Sequence, residues 1–527
     1  MVQHAPLDET KWSAREVWTL TVVCAAVAMV MAASAALYSA LPSLALDTGA
    51  TQSQLTWIVD GYTLTLAALL LPAGALGDRY GRRGVLVIGL LIVAAASAVP
   101  IFQDSPLWLI SSRAVAGVGA ALVMPATLSL LTVSFPPAQR SRAVAIWAGV
   151  AASGGIAGLL VSGVLLERWQ WQSIFVGFAV AALALFALSW TLQSSRDRDS
   201  PAFDVVGAVL STASIGLFVL GLLEGPIRGW TDPVVAVALI VGVMAGVAFA
   251  AVELRREHPL LDVRLFGIRG FGAGAASLTL QFVGTLGLFF LLIQYMQLVL
   301  GYSALQAALA LAPMAVPMVA ISAITPWLIP RVGMRALTVA GLALAGLSLV
   351  LIGRLEVDGG YGPAMVALLI FSLGLGLCTA PATTGIVENT PDGKQGVASA
   401  VNDTTREIGA AVGTALAGSL LAATYSHNIA PAVAALPEAA KEPVGSSLAA
   451  ALEVAKLAGG PQGEQLADFA RSAFLAGMSH ASYVLAGVML VAAVAVGIWA
   501  PGRRRSPADT VPATPAPQPN ERNVHSI

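Results

Sequence analysis

A short basic turn between two long apolar segments restricts this chain to a membrane-spanning fold. The turn has the sequence GALGDRYGRR and occupies residues 74–83. Residues 55–76 carry only one charge, and residues 84–102 carry none. Each segment is long enough to cross a bilayer, which takes about 20 apolar residues. A basic turn this short between two spanning helices is expected at a membrane surface, usually the cytoplasmic one.

The composition of the whole chain indicates the same class of protein. Of its 527 residues, 57% are hydrophobic and 11% are charged, whereas a soluble chain has about 25% charged residues. The net charge of −1 predicts no nucleic-acid partner. Cys24 and Cys378 both fall in apolar segments, so we expect free thiols rather than a disulfide.

Fourteen apolar runs are long enough to span a membrane, which predicts an all-α polytopic membrane protein. With both termini inside, 20 of the 28 Lys and Arg residues fall in cytoplasmic segments, 6 fall outside and two lie in the membrane. This asymmetry predicts cytoplasmic termini. The predicted helices are 17–42, 54–76, 84–102, 106–131, 143–166, 173–193, 205–224, 233–252, 271–299, 303–328, 335–353, 362–387, 396–424 and 477–500.

A second basic turn indicates an internal repeat. Arg331-Val332-Gly333-Met334-Arg335 follows the tenth predicted helix as Arg79-Tyr80-Gly81-Arg82-Arg83 follows the second. If the seventh and eighth helices are an insertion, two parallel six-helix halves remain, which is a transporter architecture. The alternative is chance recurrence of a basic turn. The predicted parts are a cytoplasmic N-terminus at 1–16, a six-helix bundle at 17–193, two inserted helices at 205–252, a second bundle at 271–500 with an outer loop at 426–476, and a disordered cytoplasmic tail at 501–527.

Five charged residues lie inside predicted helices, where each costs roughly 2.5–3.5 kcal/mol unless it is paired or hydrated. Such residues are functional candidates by default. Asp60, nearly two turns into the second helix, is a candidate proton-binding group; the alternative is a hydrated structural acid near the interface. Arg113, about two turns into the fourth helix, is a candidate to hold a carboxyl group of another helix, or a backbone carbonyl, and to release it when that acid is protonated. The alternative for Arg113 is a side chain that snorkels to the membrane surface.

The other three charges lie in the segment NDTTRE at residues 402–407, which opens the thirteenth predicted helix. Asp403 and Glu407 share a helix face, and Asp403 can pair with Arg406. This pairing leaves Glu407 free to bind a proton or a cation. The alternative places the whole turn among lipid headgroups.

Aromatic and polar side chains on several helices are candidates to line an adaptable substrate cavity. For each residue taken singly, the alternative is contact with lipid or packing in the core. The predicted cavity residues are Tyr38, Trp57, Tyr62, Gln281, Phe282, Phe289, Gln294 and Glu407.

With these motifs the chain resembles the fourteen-helix drug:proton antiporter (multidrug efflux) branch of the major facilitator superfamily. The match covers WIVDGY at 57–62, the signature loop at 74–83, the Arg113-x-x-x-Gly117-x-Gly119 pattern and residues 398–409. The resemblance implies the major facilitator fold, with two six-helix bundles and two inserted helices, and a role for Arg113 in proton transfer. The predicted proton-coupling residues are Asp60, Arg113, Asp403 and Glu407. The predicted gating residues are Gly74, Asp78, Arg79, Gly81, Arg82, Arg83, Arg331, Gly333 and Arg335.

The chain departs from that family's pattern in two helices. Ala33 stands where the first helix usually has an aspartate, and the fifth helix has Leu159 and Ser162 in place of a proline and a glycine. The missing acid shifts the expected proton coupling toward Asp60 and Glu407. It also shifts the expected substrates toward neutral or amphipathic compounds.

Together these features predict a proton-coupled secondary exporter of hydrophobic or amphipathic drugs in the bacterial plasma membrane. We expect a monomer that uses the proton gradient, with no enzymatic activity, no metal and no other cofactor. The sequence contains no G-x-x-x-x-G-K-[ST], G-x-S-x-G or H-E-x-x-H motif. The alternatives are an exporter of a lipid or of one dedicated natural product, and a membrane receptor or sensor that does not transport.

Overall fold

The computed structural model describes residues 12–50, 52–194, 203–391 and 394–500, and the regular secondary structure in these ranges is helical. Within them, 14 helices are long and apolar enough to span a membrane, which confirms the predicted number. The predicted tail at 501–527 and residues 1–11 lie outside the described residues. The α-helices are α1 Ala14–Ala35, α2 Leu41–Thr48, α3 Gln52–Tyr80, α4 Arg82–Phe102, α5 Pro106–Ser134, α6 Pro137–Leu166, α7 Gln172–Ser189, α8 Val205–Arg228, α9 Pro233–Glu253, α10 Arg269–Gln294, α11 Ala304–Leu311, α12 Ala315–Val332, α13 Met334–Ile352, α14 Tyr361–Glu388, α15 Gln395–Ala434, α16 Glu438–Ser446, α17 Leu448–Ala458 and α18 Gly460–Trp499.

The predicted helix at 303–328 is interrupted. It consists of α11 and α12, joined by a 3-10 turn at Ala312–Met314. Pro313 lies in this turn, and proline interrupts an α-helix because it has no N–H and its ring clashes with the preceding turn. The two pieces still form one candidate span, Leu305–Thr325.

The predicted outer loop at 426–476 is largely helical. α15 and α18 have 40 residues each, which makes each roughly 60 Å long, about twice the thickness of the hydrocarbon core. Both helices therefore continue beyond the membrane, and α16 and α17 connect them. The Tyr425 hydroxyl donates to the Val444 carbonyl oxygen at 3.0 Å, and Leu448 is buried. Sequence reasoning underestimated this helical cap because its alanine-rich segment has high helix propensity but little hydropathy.

Two separate cores define two bundles. One core is formed by α1 and α3–α7 and includes Val23, Leu90 and Trp147. The other is formed by α10–α18 and includes Phe371 and Phe474. A third buried cluster joins α8 and α9 to α3, α10 and α15, so the two inserted helices pack against both bundles. The predicted fold class is confirmed.

The two basic turns share one backbone conformation. Gly81 has φ 107° and ψ 123°, and Gly333 has φ 90° and ψ 150°. A residue with a side chain would be strained at these positive φ angles, so the repeated glycine has a structural reason. We call the end of the molecule that carries the Gly81 turn the loop end. The last described residue, Ala500, lies beside the Gly333 turn, because the Arg335 Nε donates to the Ala500 carbonyl oxygen at 2.7 Å.

Candidate functional site

Asp78 joins the two bundles at the loop end. Its carboxylate accepts the backbone N–H of Gly396 at 2.8 and 2.9 Å and that of Val397 at 3.2 Å. These groups are the free donors at the start of α15, where a carboxylate is favoured. Arg82 donates to the same carboxylate at 2.6 and 3.0 Å, and both side chains are buried. The buried anion therefore has both a cationic partner and backbone donors.

Two glycines allow α3 and α15 to meet backbone to backbone beside Asp78. A Cβ built on Gly74 would overlap the carbonyl oxygen of Gly396 and lie 2.7 Å from the Cβ of Ala400. A Cβ on Gly396 would in turn overlap the carbonyl oxygen of Gly74. Only residues without a side chain permit this approach. The loop end is closed along this contact.

The other predicted gating arginines have contacts within their own bundles. Arg83 Nη1 donates to the Leu192 carbonyl oxygen at 3.0 Å, so it links α4 to the end of α7. Arg331 lies over the Trp327 ring at 3.7 Å on its own helix, and Arg335 contacts the end of α18. Arg79 lies over the Tyr80 ring at 5.5 Å. The second turn thus repeats the shape of the first turn without an acid like Asp78 that reaches the opposite bundle.

Arg113 is buried and directed into the first bundle. Its Nε donates to the Ile58 carbonyl oxygen at 3.1 Å, and its Nη2 donates to the Ala33 carbonyl oxygen at 2.8 Å. The guanidinium also lies 4.2 Å from the centroid of the Tyr62 ring. These contacts rule out the snorkelling alternative. Arg113 therefore connects α5 to α3 through Ile58 and to α1 through Ala33. Ala33 stands where the family usually has an acid, and here its backbone carbonyl oxygen accepts the hydrogen bond.

The serine that departs from the family pattern in the fifth predicted helix makes a hydrogen bond to another helical segment. Ser162, in place of the usual glycine, is buried, and its hydroxyl lies 2.6 Å from that of Ser39. Four residues earlier, a Cβ on Gly158 would overlap the Ala32 carbonyl oxygen. α6 therefore packs closely on α1 at Gly158 and is linked by a hydrogen bond to the 3-10 turn that follows α1.

Asp60 lies in α3, roughly 12 Å from the end opposite the loop end. Its side chain is half-buried and accepts no hydrogen bond from the residues that the structure describes. It interacts electrostatically with Glu224 of α8 and with Tyr38. Tyr38 remains 56% exposed. Asp60 is therefore an acid within the span that has charged and polar neighbours but no direct partner.

The sequence did not indicate Glu224 as a candidate, because it is the last residue of the seventh predicted helix, and a charged residue is ordinary at the end of a membrane span. The structure continues α8 to Arg228, so Glu224 lies a full turn inside and is buried. Arg228 donates to its carboxylate. The inserted helix thus brings a second acid to the neighbourhood of Asp60.

Asp403 and Arg406 are buried within the protein and Glu407 is half-buried, which argues against the headgroup alternative. Arg406 is roughly 16 Å from the start of α15, about half the thickness of the hydrocarbon core. Asp403 is fully buried; its Oδ1 accepts from Asn402 Nδ2 at 3.1 Å, and its Oδ2 has no partner in the described chain. The Arg406 Nη1 lies 3.9 Å from Asp403 Oδ1, which is a long ion pair.

Arg406 lies close to an aromatic ring of the opposite bundle, and Glu407 interacts with that bundle electrostatically. Arg406 lies 5.9 Å from the centroid of Trp147 in α6 and 4.6 Å from that of Phe282 in α10. Glu407 is half-buried and interacts electrostatically with Tyr62, which also interacts with Arg113. A chain of charged and aromatic side chains therefore crosses the interface near its middle.

The remaining predicted cavity residues do not form one group. Gln281 is buried and accepts from the Thr379 hydroxyl at 2.9 Å, which makes it part of the packing between α10 and α14. Trp57 and Phe289 are half-buried. Gln294 donates to the Phe290 carbonyl oxygen at 3.1 Å and lies roughly 18 Å along α10 from Phe282. Among the predicted cavity residues, Phe282 lies beside Arg406, and Glu407 interacts electrostatically with both Arg406 and Tyr62.

The sequence model of the Major Facilitator Superfamily matches residues 23–414. The chain belongs to the major facilitator superfamily. It is 33% identical to the multidrug efflux pump LfrA of Mycolicibacterium smegmatis, over 91% of this chain and 95% of that protein. It is 31% identical to the tetracenomycin C resistance and export protein of Streptomyces glaucescens, over 94% of this chain and 93% of that protein. The methyl viologen resistance protein SmvA of Salmonella typhimurium is 30% identical, over 92% and 98%.

Solved structures show the same fold at low sequence identity. The human organic anion transporter MFSD10 (TETRAN) superposes with a TM-score of 0.63 at 16% identity, over 92% of this chain and 100% of that chain. The proton:xylose symporter XylE superposes with a TM-score of 0.60 at 13% identity, over 93% and 96%. The family and its drug-efflux branch, predicted from the signature loop and the helix motifs, are both confirmed.

Proposed function

We propose that this multi-pass membrane protein is a proton-coupled exporter of hydrophobic or amphipathic drug-like compounds. The observation that carries the proposal is the line of side chains across the bundle interface. Arg406 of α15 lies 5.9 Å from the ring centroid of Trp147 in the first bundle, and Glu407 interacts electrostatically with Tyr62 of that bundle. Arg406 is roughly 16 Å along α15 from the start of that helix. Transporters of this architecture bind substrate near the midplane between their halves. The resistance and export functions of the relatives support the same conclusion.

Closure at the loop end fits alternating access. In this structure Asp78 and Gly396 hold α3 against α15, and opening that end would break these bonds. We place the loop end in the cytoplasm, with both termini there, because Lys and Arg concentrate in the segments on that side. The state described here would then be closed to the cytoplasm. We also propose a monomer in the plasma membrane, with the proton gradient as its energy source.

Transport in inverted membrane vesicles tests the proposal. Respiring vesicles that contain the protein should take up members of a panel of neutral, cationic and anionic aromatic compounds, and a protonophore should stop this uptake. Vesicles from the same cells without the protein are the control. Uptake that does not depend on the gradient would refute proton coupling, and no uptake of any compound would refute export.

A dedicated natural-product exporter is the second candidate, because one relative is named as a tetracenomycin C resistance and export protein. The same panel separates the two. Uptake of several unrelated scaffolds supports multidrug export, whereas uptake of one scaffold supports a dedicated exporter.

A further inference from the structure

Arg406 is a buried guanidinium without a hydrogen bond to the part of the chain that the structure describes. Its side chain is 4% exposed, and the nearest carboxylate oxygen, on Asp403, is 3.9 Å away. A guanidinium has five N–H donors in a planar fork. Buried donors without acceptors are costly, and buried charges are normally paired and hydrogen-bonded. The long contact with Asp403 does not satisfy this group.

Two aromatic rings lie beside the Arg406 guanidinium, so its N–H groups are the polar groups available to a ligand. Phe282 lies 4.6 Å and Trp147 lies 5.9 Å from the guanidinium carbon, measured to the ring centroids. Aromatic rings attract the face of a guanidinium, whereas its N–H groups point outward in its own plane. The ring of Trp147 is fixed by its Nε1, which donates to the Thr127 hydroxyl at 3.2 Å.

Arg406 lies where a substrate-binding residue is expected, between the two bundles, and not at the protein surface. It lies on α15 in the second bundle, but it contacts Trp147 of the first bundle. It is roughly 16 Å along α15 from the start of that helix, a length of about half the thickness of the hydrocarbon core. A ligand between the bundles at this depth would meet two aromatic rings and a set of unpaired N–H donors.

Resting on the proposed export function, we infer that Arg406 binds an acidic group of the substrate, so that the exporter recognises aromatic carboxylates. A carboxylate matches the guanidinium fork with two parallel hydrogen bonds, and such charge-assisted bonds are about twice as strong as neutral ones. The rings of Phe282 and Trp147 would contact the aromatic part of the ligand. The neighbouring Glu407 offers the opposite charge, so one turn of α15 can discriminate substrates by sign.

A matched ligand pair tests this assignment. Dansylglycine and its neutral amide, dansylglycinamide, differ in charge but share one fluorophore, whose emission reports binding to the purified full-length protein in lipid nanodiscs at pH 7.5. We expect the wild type to bind the carboxylate roughly 10-fold more tightly than the amide. Arg406→Lys should reduce this preference several-fold, because an ammonium keeps the charge but lacks the planar fork.

The double variant Asp403→Asn with Arg406→Gln removes both charges of the buried pair together, so neither partner is left ionised alone. In this variant the ratio of the two affinities should fall to about one. Arg142→Gln is the control, since Arg142 lies over the Trp12 ring at 4.8 Å but is exposed; the preference should persist there. Equal wild-type affinities, no binding of dansylglycine, or a preference that survives in the double variant would overturn the assignment. Gradient-driven uptake of neutral compounds in vesicles reports on export separately, so the two proposals can fail independently.

Discussion

Asp78 accepts the backbone N–H of Gly396, a residue 318 positions later in the chain, with both of its carboxylate oxygens. This contact joins the last turn of α3 to the first turn of α15 and so ties one bundle to the other. It is possible because Gly74 and Gly396 bring the two backbones together beside it. The contact between the bundles therefore depends on Asp78 and Gly74 of the signature loop and on Gly396 of α15, in addition to the basic Arg82.

Gly74→Ala should open the loop end. The new Cβ would overlap the Gly396 carbonyl oxygen, and overpacking of this kind costs about 1–3 kcal/mol. Pulsed electron spin resonance between labels at Tyr80 and Val332, both exposed, should show a longer distance in the variant. Gly77→Ala is the control, because a Cβ on Gly77 meets nothing within 4 Å. Identical distances in Gly74→Ala and the wild type would contradict the expectation.

Asp78→Asn should stop transport while substrate binding survives. The amide loses the ion pair with Arg82 and weakens the bonds to Gly396 and Val397, so the balance of states shifts by roughly 1–3 kcal/mol. Uptake into vesicles should fall at least about 10-fold, and the dissociation constant in nanodiscs should change little. Asp468→Asn, at an exposed position on α18, should leave uptake as it is. A parallel loss of binding would show that the loop serves folding instead.

Asp60→Asn should abolish proton-driven efflux without loss of the folded protein. Asp60 has no hydrogen-bond partner among the described residues, so the substitution breaks no bond and removes a charge that is costly in the membrane. The thermal midpoint should be unchanged or higher, and gradient-driven uptake should be absent. Asp104→Asn is the matched control variant, because Asp104 is exposed and lies at the same end of the molecule as Asp60. Wild-type rates of gradient-driven uptake in Asp60→Asn would exclude Asp60 from coupling.

Glu407→Gln should weaken export of cationic substrates more than export of neutral ones. The Glu407 carboxylate is half-buried near Tyr62, while the nearby Asp403 is the acid that pairs with Arg406. Glu407 is thus the acid of this turn available to a cation. Uptake of a cationic compound and a neutral compound of the same scaffold should be compared in the variant. An equal effect on both, or none on either, would remove Glu407 from the binding site.

Several features could be predicted from the sequence because they depend on contiguous residues. Hydropathy along a window of about 20 residues identifies a span without knowledge of its neighbours. The fourteen spans, the repeated turn at Gly81 and Gly333, and the intramembrane positions of Arg113 and Asp403 follow in this way. The family resemblance rested on the same local motifs.

Only the tertiary structure decided which groups meet. Arg113 contacts the backbone oxygens of Ala33 and Ile58, Glu224 reaches the neighbourhood of Asp60, and Arg406 lies against Trp147 across the interface. Each contact depends on how closely two distant helices pack, and packing is set by complementary surfaces with no common sequence window. Every residue type also has a backbone carbonyl, so the sequence does not show which carbonyl oxygen accepts a hydrogen bond. The sequence by itself therefore determined the helices, their charged positions and the family, whereas the partners of those charges on other helices came from helix packing.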